Sequence, residues 1–251
     1  MDDKQTPQAP ETIDTPACPH CGKPEPLCVC ESVATIDNRV EVLILQHPQE
    51  QDRLLGTARL AATILSKSVF RIGLSWSSLG KALGHEAEAG QWAVLHLGSA
   101  KTGELPDNRE VVVLDKKGAA IEDQDAALKG VKGIVVFDGT WAQAKTLWWR
   151  NAWVLKARRL VLNPKRRSLY GDLRREPRHE SLSTIEAIGL ALSAIERKPQ
   201  IETDLRASFQ TMLNKYKDAV ASGVVTPETP KQGGGKRDWR GKSRRSQSRR
   251  A

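Results

Sequence analysis

Gly133-Ile-Val-Val-Phe-Asp-Gly-Thr-Trp-Ala-Gln143 decides the fold. The apolar run from Ile134 to Phe137 is too short for a buried helix and rich in β-branched residues, so it reads as a strand covered on both faces. Asp138 ends the strand, Gly139 permits a sharp turn, and Thr140-Trp-Ala-Gln143 has the spacing of a capping box. In that box the Thr hydroxyl accepts from the third helical amide while Gln reaches back. A strand running through a tight turn into a capped helix is the repeating unit of an α/β fold, whose ligands gather beyond the carboxyl ends of the strands. Asp138 therefore stands where a general base, an amine-orienting group or a ribose ligand would stand. A turn aspartate bonding the amide of Thr140 fits the same position.

Working outward, Arg39-Val-Glu-Val-Leu-Ile-Leu-Gln-His47 reads as a second buried strand, and residues 92–97, 111–114 and 159–162 as further short ones. Helical spacing of apolar residues marks 54–69, 120–129, 141–152, 182–197 and 202–221 as helices. Ser183-Thr-Ile-Glu186 supplies a second capping box. Strands alternating with helices imply a mostly parallel sheet with helices on both faces. Trp148, Trp149 and Trp153 read as packing and interface surface rather than as a base-stacking platform.

The ends differ from the middle. Residues 1–17 are rich in Pro, Gln, Thr and acids and read as a disordered leader; 226–251, with three consecutive glycines and an Arg/Ser/Lys/Gln mixture, read as a disordered tail. The formal charge of +9 is concentrated in that tail, where positions 231–251 hold nine basic residues against Asp238 alone. The remaining 30 basic and 29 acidic residues nearly cancel, so a phosphate-rich partner would feel the tail first. With no run of 18 apolar residues and no basic-then-apolar start, neither a membrane span nor a secretory signal is expected, and the location should be cytoplasmic.

All four cysteines fall within 13 residues, as Cys18-Pro-His-Cys21 and Cys28-Val-Cys30. Such crowding suits a tetrahedral structural zinc better than a disulfide framework, and four sulfurs leave no open position for a catalytic water. The cluster, at 18–36, should precede a catalytic domain at 37–225. Within that domain Lys165-Arg-Arg167, Arg174-Arg175 and Arg178 flank Tyr170 in one loop before the second capping box. Cations and an aromatic near the Asp138 motif make this loop the expected RNA contact.

Asp138-Gly-Thr-Trp141 resembles the D-x-T-W signature of the DTW-domain family. Three further segments agree in family order: the Cys18–Cys30 cluster, Leu45-Gln-His-Pro48 with Glu50 and Thr57 following, and Leu182-Ser-Thr-Ile-Glu-Ala187. The turn at Leu95-His-Leu-Gly-Ser99 departs from the Tyr-Pro-Ser-like pattern of that family. The resemblance implies a SPOUT-like α/β fold with a trefoil knot that holds S-adenosylmethionine. It also implies transfer of the 3-amino-3-carboxypropyl group of that co-substrate to nitrogen 3 of a variable-loop uridine in tRNA. On the same footing, Asp138 becomes the catalytic residue, and Gln46, His47, Thr140, Trp141, Ser183, Thr184 and Glu186 the cofactor-binding set. Two other readings use the same features. A SPOUT-type methyltransferase would move the methyl group instead, and a zinc-containing RNA-binding factor would catalyse nothing.

Overall fold

The structure is a computed structural model, and it describes residues 16–95, 105–106, 108–173 and 182–227. In chain order the elements are β1 (Glu41–Gln46), α1 (Ala58–Ile64), β2 (Ser68–Ile72), α2 (Leu79–Leu83), β3 (Trp92–Leu95) and β4 (Val111–Leu114). They continue with α3 (Gln124–Lys129), β5 (Gly133–Asp138), α4 (Trp141–Arg150), β6 (Arg158–Leu162), α5 (Thr184–Glu196) and α6 (Pro199–Ala221). The six strands form one sheet in the order β2-β1-β5-β3-β6-β4, parallel throughout except for the antiparallel edge strand β4.

Side-chain alternation along each strand feeds two cores. Val42, Ile44, Ile134, Val136 and Leu160 face a layer built from α1, α5 and α6; Leu43, Leu45, Val135 and Phe137 face α2 and α4. Every residue of β5 is buried, as expected of a central strand covered on both faces. On α4 only Ala144 and Leu147 are buried, and full burial of a Leu such as Leu147 is worth about 2 kcal/mol. That narrow apolar stripe leaves most of the α4 circumference outside the core.

Several elements differ from the sequence reading. The helix expected over 54–69 is confined to Ala58–Ile64, and its last expected residues belong to the edge strand β2. Leu65 turns extended at ψ 131, and the Ser68 hydroxyl takes the Ala62 carbonyl, so the chain leaves the helix there and pairs with β1. The short helix α2 was absent from the reading; Ser78 caps it and Gly84, at φ 96, ends it in the left-handed region. The helix expected from 120 begins at Gln124, because Ala120 bridges back to Leu114.

The topology positions the site. From β1 the chain passes through α1 to β2 on one side, whereas from β5 it passes through α4 to β6 on the other. β1 and β5 are neighbours whose exits diverge, which leaves a crevice over their carboxyl ends. Gln46 and Asp138, the last residues of the two strands, are direct register partners there.

Candidate active site and metal centre

Asp138 is 9% exposed, and both of its carboxylate oxygens are engaged. Gln46 Nε2 donates to Oδ2 at 2.9 Å, and Thr184 Oγ1, on the first residue of α5, donates to Oδ1 at 2.5 Å. The His47 amide donates to the Asp138 carbonyl at 2.9 Å, so the two strand ends stay paired one residue past the sheet. Gly139 follows at φ 155, and a Cβ there would stand 3.0 Å from that of Gln143 and 3.4 Å from that of His47. Only a glycine lets the turn close this tightly.

Both capping boxes are present. Thr140 Oγ1 accepts from the Gln143 amide while Gln143 Oε1 takes the Thr140 amide at 2.6 Å; Gln143 Nε2 then reaches Gln49 Oε1 at 3.2 Å, joining α4 to the turn after β1. In α5, Ser183 and Glu186 close the second box. Of the expected cofactor set, Gln46 and Thr184 therefore meet Asp138 directly, and His47 does so through its main chain. Thr140 lies exposed at the next turn, and Trp141, 45% exposed, is the first residue of α4.

Ser183 and Glu186 turn elsewhere. The Glu186 carboxylate is 1% exposed and accepts from Ser168 Oγ, the Leu169 amide and Ser183, and it pairs with Arg206 Nη1 at 2.6 Å. Its oxygens hold the 168–169 loop to α5 and α6. Arg206 was missed in the sequence because its partner lies 20 residues away, across a helix turn that periodicity does not register. Glu50 belongs to the matched motif without an assigned role; it is 5% exposed, and its Oε1 has no partner among the described residues.

Of the expected RNA contacts, Lys165, Arg166 and Arg167 are exposed beyond the carboxyl end of β6, on the Asp138 side of the sheet. Arg166 also pairs with Glu202 at 3.0 Å. The sequence groups Tyr170 with these cations; in the structure it is 2% exposed, its ring stands edge-on to Phe209, and its hydroxyl donates to the Leu55 carbonyl at 2.6 Å. It fastens the loop to the core and offers no face to a base. Arg174, Arg175 and Arg178 lie outside the described residues, as do Gly98, Ser99, the leader to residue 15 and the tail from 228.

The four cysteine sulfurs lie within 4.8 Å of one another, with Cys18 and Cys30 Sγ 3.9 Å apart and Cys21 and Cys28 Sγ 3.8 Å apart. Sulfurs at the usual zinc distance on a tetrahedron are separated by about 3.8 Å, so the donor set fits one zinc ion. The Cys21 amide lowers the Cys18 thiol to about 6, while burial pushes those of Cys21 and Cys30 up. Around them the fold supplies anchors. Gly22, at φ 69, makes the knuckle turn, Lys23 Nζ donates to the Arg53 and Leu54 carbonyls, and Arg59 donates to those of Pro19 and His20. Leu27 and Val29 are 1% exposed against the α6 layer, where Lys215 donates to the Cys28 carbonyl.

Residues 15–217 match the model of the DTW domain. Among curated proteins, the chain is 25% identical over 201 residues to tRNA-uridine aminocarboxypropyltransferase 2 of Macaca fascicularis and 27% identical over 202 residues to that of Mus musculus. Each alignment covers 78% of this chain and 62% of the relative, so the chain spans less than two thirds of their length. The protein of the same name from Drosophila melanogaster is 26% identical over 199 residues, covering 78% of this chain and 72% of its own. No solved structure matches the chain. With its signature on the β5–α4 turn and the match running through most of its length, the chain belongs to the DTW domain family.

Proposed function

We propose that this protein transfers the 3-amino-3-carboxypropyl group of S-adenosylmethionine to nitrogen 3 of a tRNA uridine in the variable loop, releasing methylthioadenosine. The observation that carries the reading is the carboxylate of Asp138, fixed by Gln46 and Thr184 at the crevice where β1 and β5 diverge. The names of the relatives supply the reaction class. The sulfonium activates several carbons, so selecting the γ-carbon over the methyl is a matter of alignment with the attacking nitrogen.

The residues have work suited to that task. Each carboxylate oxygen of Asp138 keeps a second lone pair after accepting from Gln46 or Thr184. That remaining capacity can take the imide proton of uridine or hold the ammonium of the transferred group. Glu50, buried just past His47 with one oxygen that has no partner among the described residues, suits the same ammonium. Thr140 and Trp141 at the opening of α4, and Thr184 at the start of α5, would enclose the adenosyl portion, with Ser183 and Glu186 holding α5 in place behind them. The reading extends to a SPOUT-like trefoil knot around the cofactor, supported by family membership and by the convergence of the 46–50, 138–141 and 183–186 segments. Zinc on Cys18, Cys21, Cys28 and Cys30 would hold the N-terminal knuckle against α6 and take no part in transfer. A tRNA substrate and four cysteines that form no disulfide suit a reducing, cytoplasmic setting.

The test is the small-molecule product of a reaction with tRNA and S-adenosylmethionine. Methylthioadenosine supports the reading. S-adenosylhomocysteine would assign the site to methyl transfer, and absence of cofactor binding would leave a binding module.

A further inference from the structure

From Gly139 to Gly171 the chain holds eight basic residues and no Asp or Glu, whereas the rest of residues 1–230 carries 22 basic residues against 29 acidic ones. This stretch runs from the turn after Asp138 through α4 and β6 to the exposed Lys165–Arg167 loop. Within it, α4 turns an unusual face outward. Trp141 and Trp149, eight residues and therefore about 12 Å apart along the axis, are 45% and 76% exposed. Lys145 lies between them on the same side, with Nζ 5.9 Å from the Trp141 ring centroid. Trp148, beside them, is half-buried edge-on against Phe137. Among the described residues Lys145 and Arg150 make no ion pair, so their charge faces outward.

A Trp is usually among the better-covered side chains, and 76% exposure leaves a large apolar ring in water. Covering such a face with a second copy would bring Lys145 and Arg150 close to their own symmetry mates, since a twofold interface is the same patch on both subunits. Single-stranded RNA answers both features. Bases stack on aromatic faces, phosphates pair with the interleaved cations, and neither demands a particular sequence.

We propose that the outer face of α4, formed by Trp141, Lys145 and Trp149, is a stacking track for an unpaired stretch of the substrate RNA, leading away from Asp138. The proposal rests on the reading that tRNA is the substrate. Trp141 marks the site end of the track, beside the bound cofactor, and Trp149 holds a nucleotide outside it. The Lys165–Arg167 loop lies at the same carboxyl edge of the sheet as the start of α4, towards the α5–α6 layer, and supplies phosphate contacts at the Asp138 end of the track.

The test compares full-length wild type with Trp149→Ala, Trp149→Phe and Lys145→Gln, using a fluorescently labelled, unmodified tRNA transcript. Folding of each variant is checked by thermal melting, and oligomeric state by analytical ultracentrifugation. Loss of one stacked base should weaken tRNA binding by about five- to a hundredfold in Trp149→Ala. Trp149→Phe should restore most of it, and Lys145→Gln should flatten the salt dependence. S-adenosylmethionine affinity should not change in any of them. Equal tRNA affinity of wild type and Trp149→Ala, with aminocarboxypropyl transfer intact, would overturn the stacking track and leave the transferase reading standing. Weakened binding in a protein that moves the methyl group would support the track and sink the transferase reading instead. A dimer that Trp149→Ala converts to monomers at unchanged tRNA affinity would assign the face to a second copy and overturn the proposal.

Discussion

Gln46 and Asp138 end adjacent parallel strands as register partners, and the Gln46 side-chain amide donates to the Asp138 carboxylate across the crevice at 2.9 Å. Thr184 holds the other oxygen from the start of α5, so three elements far apart in sequence fix one carboxylate.

That arrangement tolerates Asp138→Asn. The asparagine keeps one acceptor, and either partner can adapt to its amino group, Thr184 by rotating its hydroxyl and Gln46 by flipping its amide. The variant should fold with near-normal stability, bind tRNA and lose at least about a hundredfold in transfer rate if Asp138 takes the imide proton. If it holds the substrate ammonium, cofactor affinity should drop as well and high cofactor concentration should rescue part of the rate. Steady-state kinetics at several cofactor concentrations separates the two, and wild-type transfer by the variant would remove Asp138 from the chemistry.

Much of this site was legible beforehand because its parts sit at local signals. The Asp138 turn and the two capping boxes are short patterns whose hydrogen bonds close within four residues, and both boxes form as read. What joins them is long-range. The pairing of Gln46 with Asp138 spans 92 residues, and no pattern in either strand states which neighbour it takes. Tyr170 was misassigned for a related reason, since an aromatic among arginines has the same sequence signature whether it faces solvent or, as here, packs on Phe209. β2 escaped because an edge strand with only half-buried and exposed residues lacks the apolar run that marked β5.

Glu186 is a structural hub, and Glu186→Gln should expose that. The substitution keeps the shape but leaves Arg206, whose side chain is only 18% exposed, without its counter-charge. Breaking a buried pair from one side costs about 3 kcal/mol, and urea unfolding should show a lower midpoint at unchanged slope. Wild-type stability in the variant would show that Ser168, Leu169 and Ser183 find other partners at no cost.

Zinc should be a folding element. Purified protein should contain one zinc per chain, and a strong chelator or Cys28→Ser should lower the melting temperature, because metal-binding free energy becomes folding free energy where the site cannot form in the unfolded chain. Cofactor affinity of the fraction that remains folded should be near normal. Metal-free protein of undiminished stability would contradict this.

Removing residues 231–251 takes away nine basic residues and one acid. The truncated chain should bind tRNA more weakly with a shallower dependence on salt, nine phosphate contacts being the upper limit on what is lost, while S-adenosylmethionine affinity stays constant. Binding isotherms across a salt series read this directly; identical slopes for the two chains would exclude the tail from RNA contact.

In the proposed function, this crevice aligns the γ-carbon of S-adenosylmethionine with a uridine nitrogen. The most direct measurement is mass spectrometry of nucleosides from unmodified tRNA incubated with the full-length protein and S-adenosylmethionine, with Asp138→Asn alongside. The wild-type reaction should yield 3-(3-amino-3-carboxypropyl)uridine, and the variant strongly reduced amounts. A methylated nucleoside, or unaltered tRNA under conditions where both substrates are bound, would contradict it.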